Sequence, residues 1–144
     1  MRVALTPSLD PAAYPFVHTV RTRFAETDAM GIIHHAAYLP YLEEARVALL
    51  RDAGHPYDEV RVAGIELVVL EVLVQYRRPL RFDEQVTIGL TVGQRTGATF
   101  QIGYLLQVGG ETRATAVTVH GAIDGQGRPV RLPGWLASLG CEPV

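Results

Sequence analysis

Lysine is absent from the 144-residue sequence, and all thirteen basic residues are arginine. Any anion bound here must therefore be met by a guanidinium, a backbone N–H or a hydroxyl. Cysteine occurs once, as Cys141. That excludes an internal disulfide and suits a reducing compartment. Neither sign of charge is in excess. The net charge is −2, which removes a general electrostatic case for nucleic acid or an anionic membrane as partner. Long apolar runs are missing too. The stretch Ile65 to Val74 is interrupted by Glu66 and Glu71 and is too short to span a bilayer. Met1 to Ala13 holds Asp10 and two prolines in place of a long apolar core, so it does not read as a signal peptide. A cytoplasmic protein is expected. No His, Cys, Asp or Glu pair has metal-ligand spacing, and the adjacent His34 and His35 point two ways. Neither metal nor cofactor is expected.

What is present reads as a single domain over residues 1–144, with a core from about 16 to 133. Phe16, His18, Val20, Thr22 and Phe24 alternate with Val17, Thr19, Arg21 and Arg23, which predicts a first strand after a loose lead-in. Glu26 to Gly31 breaks the alternation with turn chemistry. From about Ala36 the period changes. Tyr38, Leu42, Ala45 and Leu49 share a helical face. Gly54 and Pro56 stop that helix after about 17 residues, roughly 25 Å. Four long strands follow: Ile65 to Arg77, Gln85 to Val92, Thr99 to Val108 and Thr112 to Ile123. Gly109-Gly110 marks a two-residue hairpin. The tail from Leu132 to Val144 is read as a short helix or a surface drape. The expected class is α+β, one helix against a five-stranded antiparallel sheet. Such a sheet leaves edges exposed, and a second copy of the chain is the expected remedy.

The chemistry concentrates in residues 24–46, FAETDAMGIIHHAAYLPYLEEAR. Asp28 stands just before a glycine turn that delivers the chain to the helix start near His35. The first amides of a helix lack partners and carry partial positive charge, so they can polarise a carbonyl and hold an oxyanion. A carboxylate folded back by the turn sits across from that carbonyl as base or nucleophile.

Thr27-Asp28-x-x-Gly31, His35-x-x-Tyr38, Glu43-x-Ala45-Arg46, Tyr76-x-x-Pro79, Asp83 and Arg131-Leu132-Pro133 occur in this order. Together they resemble the 4-hydroxybenzoyl-CoA thioesterase family of hot-dog proteins, closest to the branch of Tol-Pal-associated acyl-CoA thioesterases. The resemblance spans about Val20 to Pro133. It implies a hot-dog fold with a long central helix, a homodimer, possible further pairing to a homotetramer, and sites at the dimer interface. It implies Asp28 as the catalytic carboxylate and His35 as the residue whose N–H meets the thioester oxygen. His34 takes a position where an aromatic is common. The turn holding Arg95, Thr96 and Gly97 matches the region that meets the nucleotide end of coenzyme A. Arg78, in a cluster with Arg77 and Arg81, is a further candidate for coenzyme phosphate.

The expected function is hydrolysis of a small or medium acyl-CoA to free acid and coenzyme A. Alternatives on the same fold are an acyl carrier protein thioesterase, docked through the Arg77–Arg81 cluster, and a non-catalytic acyl-CoA-binding module. A dehydratase would need a histidine in a Pro/Gly-rich approach, which the sequence lacks. Glu43, Glu44 and Arg46 read as an exposed helical charge set, with the two glutamates as outside catalytic candidates. His18, His55 and His120 read as structural.

Overall fold

The computed structural model describes residues 2–139. Cys141 and the end of the tail lie outside the described residues. The elements are β1 (Phe16–Arg21), α1 (Tyr38–Asp52), α2 (Tyr57–Val62), β2 (Glu66–Tyr76), β3 (Gln85–Gly93), β4 (Thr99–Val108), β5 (Glu111–Ile123) and β6 (Pro129–Val130). Short 3₁₀ turns lie at Phe24–Glu26, His35–Ala37 and Gly134–Ser138. The sheet runs β1-β3-β4-β5-β2, antiparallel at each pairing, and the two-residue β6 adds to β5. Thus β1 and β2 are its edges.

One face of the sheet takes the helix. Val86, Ile88 and Leu90 of β3, Phe100, Ile102 and Tyr104 of β4, and Ala114 and Ala116 of β5 meet Tyr38, Tyr41, Leu42, Ala45 and Leu49 of α1. The apolar positions of the strands recur every second residue and those of the helix every third or fourth, so the two periods define one core. Fully burying each large side chain is worth roughly 1.5–3 kcal/mol. A bulge at Leu70 shifts the register of β2. Leu67 and Val69 therefore share the inner face with Val72, Val74 and Tyr76, because one inserted residue reverses the alternation. Helix α1 lies toward β1 and β3, which leaves Val69, Val72 and Tyr76 exposed. Helix α1 ends as its sequence dictates, with Gly54 at φ +84°.

Three departures from the sequence reading have local causes. Strand β1 stops at Arg21, because the Thr22 N–H turns to the Glu84 carbonyl and residues 24–26 form a 3₁₀ turn. Regular α-helix begins at Tyr38 and not at Ala36, since His35–Ala37 is a 3₁₀ turn. Pro56, which ends one helix, also starts α2 from its N-cap position.

The lead-in is not loose. Residues 2–14 run as a strap across the outer face of the sheet. The Gln101 side chain accepts the Ala4 and Leu5 N–H groups and donates to the Arg2 carbonyl. Leu5 lies over Gly103, where a Cβ would come within 2.6 Å of it. Tyr14 lies over Gly89, with a corresponding distance of 2.8 Å. Any side chain at those two glycines would occupy the strap's place.

Candidate active site

The loop after β1 is built around Asp28. Its backbone N–H bonds the Ile32 carbonyl, and its carbonyl accepts the Gly31 N–H. Gly31 has φ +78°, a conformation that costs glycine little. Asp28 Oδ1 accepts the Met30 N–H at 2.8 Å and the Ile32 N–H at 3.4 Å. Among the described residues nothing bonds Oδ2. One carboxylate oxygen thus shapes the loop and the other stays available.

Beyond the loop, Ile33 N–H bonds the Leu80 carbonyl and His34 N–H bonds the Glu26 carbonyl. These two bonds tie the approach of α1 to the end of β2 and to the turn before Asp28. His34 Nδ1 then accepts the Ala36 N–H at 3.0 Å, capping the 3₁₀ turn. The Ala37 N–H goes to the His34 carbonyl. Among the described residues no acceptor meets the His35 N–H. Tyr76 Oη donates to the His35 carbonyl at 2.8 Å and so holds this turn from β2. Tyr38 packs edge-on to Tyr76, with ring centroids 4.9 Å apart. Tyr38 Oη accepts the Leu80 N–H at 3.3 Å. Burial pushes the Tyr38 and Tyr76 hydroxyls above the ordinary tyrosine range, so both remain protonated donors at neutral pH.

A cleft of about 300 Å³ opens here, lined by Asp28, His35, Tyr38, Tyr76, Arg77 and Arg78, with Met30 and Ile33 among its apolar walls. Three of the sequence candidates, Asp28, His35 and Arg78, therefore share one cavity wall. Arg78 also donates to Glu111 at 3.1 Å. In the turn before Asp28, Glu26 is fixed by Tyr41 and Arg23. Burial alone would raise the Glu26 carboxyl, but these bonds outweigh it and hold it below the usual carboxylate range.

Arg95, Thr96 and Gly97 do not line this cleft. Arg95 donates to the carbonyls of Leu136, Val92 and Leu139. It ties the C-terminal 3₁₀ turn to the end of β3. Thr96 Oγ1 accepts the N–H groups of Ala98 and Thr99 and so closes its own loop. Gly97 lies against the Arg131 guanidinium, 3.0 Å from where its Cβ would be. Two contacts that shape the site lie beyond the sequence reading, one at Tyr76 in the cleft and one at His34 beside it. In the sequence Tyr76 is only part of a motif, and its link to the His35 carbonyl needs a fold to be seen. The capping role of His34 had a local signal, because a side-chain acceptor two residues before an unpaired amide is cap chemistry.

This arrangement can activate a nucleophile at Asp28 and offer a backbone donor to a carbonyl oxygen. Among the described residues no three metal-ligating side chains converge, and no helix is long and apolar enough to cross a membrane.

Residues 22–139 match the family model described as the thioesterase-like superfamily. A structure of a hypothetical protein from Aquifex aeolicus superposes with a TM-score of 0.83 at 34% identity, covering 88% of this chain and 99% of that one. The 1,4-dihydroxy-2-naphthoyl-CoA hydrolase of Synechococcus elongatus is 28% identical over 135 residues, which is 87% of this chain and 96% of the relative. The acyl-CoA thioester hydrolase YbgC of Escherichia coli O6:H1 is 29% identical over 80 residues, 56% of this chain and 60% of the relative. The described cleft, the helix wrapped by an antiparallel sheet and these likenesses agree, and the chain belongs to the thioesterase-like superfamily, a thioester hydrolase with the hot-dog fold.

Proposed function

We propose that the protein hydrolyses an acyl-CoA thioester to the free acid and coenzyme A, with Asp28 as the catalytic carboxylate. The observation that carries this reading is the His35 N–H, unpartnered among the described residues, on the same cleft as the Asp28 carboxylate. The thioester oxygen accepts from the His35 N–H, which then meets the negative charge as it develops. Asp28 Oδ2 takes a proton from water as the water oxygen attacks the carbonyl carbon. Collapse of the tetrahedral oxyanion breaks the C–S bond, and the coenzyme thiolate leaves and takes up the proton. Direct attack by the carboxylate, through an anhydride that water then opens, uses the same atoms. Neither route draws on a cofactor. Arg78 and Arg77, at the cleft rim, are the guanidiniums nearest to an incoming coenzyme phosphate. Arg95 in one protomer would reach the nucleotide only of a site shared with a partner.

The assembly proposed with it is a homodimer joined along the β2 edge, in the cytoplasm. That edge is 11 residues long, and among the described residues no strand pairs with its outer side. An open edge of this length is a pairing surface.

The test compares wild type and Asp28→Asn. The amide keeps the Oδ1 loop bonds but supplies neither base nor nucleophile. The variant should lose roughly 10²–10⁴-fold in kcat while still binding acyl-CoA. Retention of more than about a third of wild-type turnover would remove Asp28 from the mechanism and turn attention to Glu43 and Glu44. An acyl carrier protein substrate in parallel separates the carrier alternative, which predicts faster turnover of that substrate.

A further inference from the structure

Arg46 does not belong to an exposed charge set. Its guanidinium turns inward from α1, and Nη1 donates to Tyr104 Oη at 3.4 Å. Tyr104 Oη and Thr118 Oγ1 are 2.8 Å apart, and Thr118 Oγ1 and His120 Nε2 are 2.7 Å apart. The His120 ring also bonds the Val68 backbone. With a ring N–H given to Val68, Nε2 is the acceptor, and each hydroxyl both receives and gives one hydrogen bond. The row therefore runs in one direction, from Arg46 through Tyr104 and Thr118 to His120. Its last three members are at most 2% exposed.

This row uses one of the five N–H donors of the guanidinium. Among the described residues no carboxylate lies within ion-pair distance of Arg46. Glu44 is paired with His18, and Glu43 is exposed on the groove that Arg46 lines, with no ion pair to it. A half-buried guanidinium without an anion is costly. The fold nevertheless holds it in place from below.

The surroundings of Arg46 suggest a use. It lines a groove between α1 and β2, together with Leu39, Leu42, Val69 and Val72. It also lines a cavity of about 290 Å³ with apolar walls at Leu50, Leu67, Phe100 and Ile102, and Glu43 lines both the groove and this cavity. The groove lies farther along the same two elements, α1 and β2, that supply Tyr38 and Tyr76 to the Asp28 cleft, and the two share no lining residue. From Tyr38 to Arg46 along the helix axis is about 12 Å.

We propose that this groove is the acyl subsite and that Arg46 is its specificity residue, selecting acyl groups that end in a carboxylate. The inference rests on the thioesterase reading above. The acyl chain lies against Leu39, Leu42, Val69 and Val72, and its distal carboxylate takes the free N–H groups of Arg46 as a forked pair. Tyr104 fixes the guanidinium plane, so the fork is already oriented before the substrate arrives. Glu43, exposed on the same groove, opposes that carboxylate and weakens the preference without abolishing it.

Matched substrates test this: decanoyl-CoA and the same chain ending in a second carboxylate. Wild type should favour the carboxylate-ended ester by about tenfold or more in kcat/KM. Arg46→Met should erase that preference while decanoyl-CoA turnover stays within about threefold. Glu43→Gln should increase the preference, and this variant does not disturb the buried row. Equal use of both esters by wild type would overturn the proposal. So would an equal fall for both esters in an Arg46→Met protein of unchanged melting temperature. If neither ester is hydrolysed, the thioesterase reading itself fails; if decanoyl-CoA alone is turned over, only the assignment of Arg46 fails.

Discussion

Acid should unfold this protein partly through a single buried imidazole. His120 is 2% exposed. Burial first, and the nearby Arg46 charge second, hold its pKa down to about 3, against an ordinary 6.5. The native ring therefore stays neutral in mild acid, whereas the unfolded chain takes up a proton. Stability from this site is fully present above about 6.5 and is lost as pH falls from there toward about 3. At about pH 5 the unfolded histidine lies roughly 1.5 units below its own pKa. At about 1.36 kcal/mol per unit, the loss there is about 2 kcal/mol. The figure depends little on the native value, because the native ring is almost unprotonated at that pH. Urea titrations at about pH 7 and pH 5, on wild type and on His120→Gln, measure it. The variant should be less stable at both pH values but should lack this part of the pH dependence. Taking the difference between proteins cancels the carboxylates, which titrate in both. Parallel losses of stability in the two proteins would refute the reasoning, and His120 would then have to be protonated or solvated in the native state.

Other expectations follow from single contacts. Tyr76→Phe removes the bond to the His35 carbonyl and should lower kcat about tenfold with little change in melting temperature; an unchanged kcat would limit Tyr76 to packing. Arg95→Ala breaks three backbone bonds from a charged donor and should cost about 2–3 kcal/mol in urea titrations. A KM increase without that loss would return Arg95 to coenzyme binding. Glu84 accepts from the Arg113 guanidinium at 2.9 Å and 3.0 Å. Burial pushes Glu84 up, but Arg113 more than offsets it and holds the carboxyl below its usual 4.5. Stability from the pair is present above that value and lost as pH falls below it, and Arg113→Met should flatten the low-pH limb of the stability curve. In light scattering at micromolar concentration the protein should run as a dimer or larger, and a monomer would remove the β2-edge pairing.

The parts of the fold legible in the sequence were those with a repeating local signal. Val86, Ile88 and Leu90 alternate with Thr87, Gly89 and Thr91, and that alternation survived intact as β3. Gly109 and Gly110 took φ +55° and +82°, as a two-residue hairpin requires. Helix α2 was not legible, because six residues are too few to show a period and Pro56 signals a stop as well as a start. The strap was not legible because its hold on the sheet consists of isolated contacts, Leu5 on Gly103 and Tyr14 on Gly89. Asp28 and His35 come to one cleft because a turn joins them locally. Arg46 was not legible, since its charge suggests solvent and only the partners beneath the helix explain its inward course. His120 was read as structural, but the hydrogen-bonded row that makes it so spans α1, β4 and β5.

The strap has a consequence for the order of folding events. Leu5 can seat only on a face that β3 and β4 have already formed, and its contacts join one end of the chain to a strand far along it. Such contacts form after the sheet is assembled and add little to the folding transition state. Shortening Leu5 to alanine should therefore leave the refolding limb of a chevron in place and raise the unfolding limb. The segment then serves as a latch on the finished sheet, prolonging the life of the native state without guiding the chain toward it.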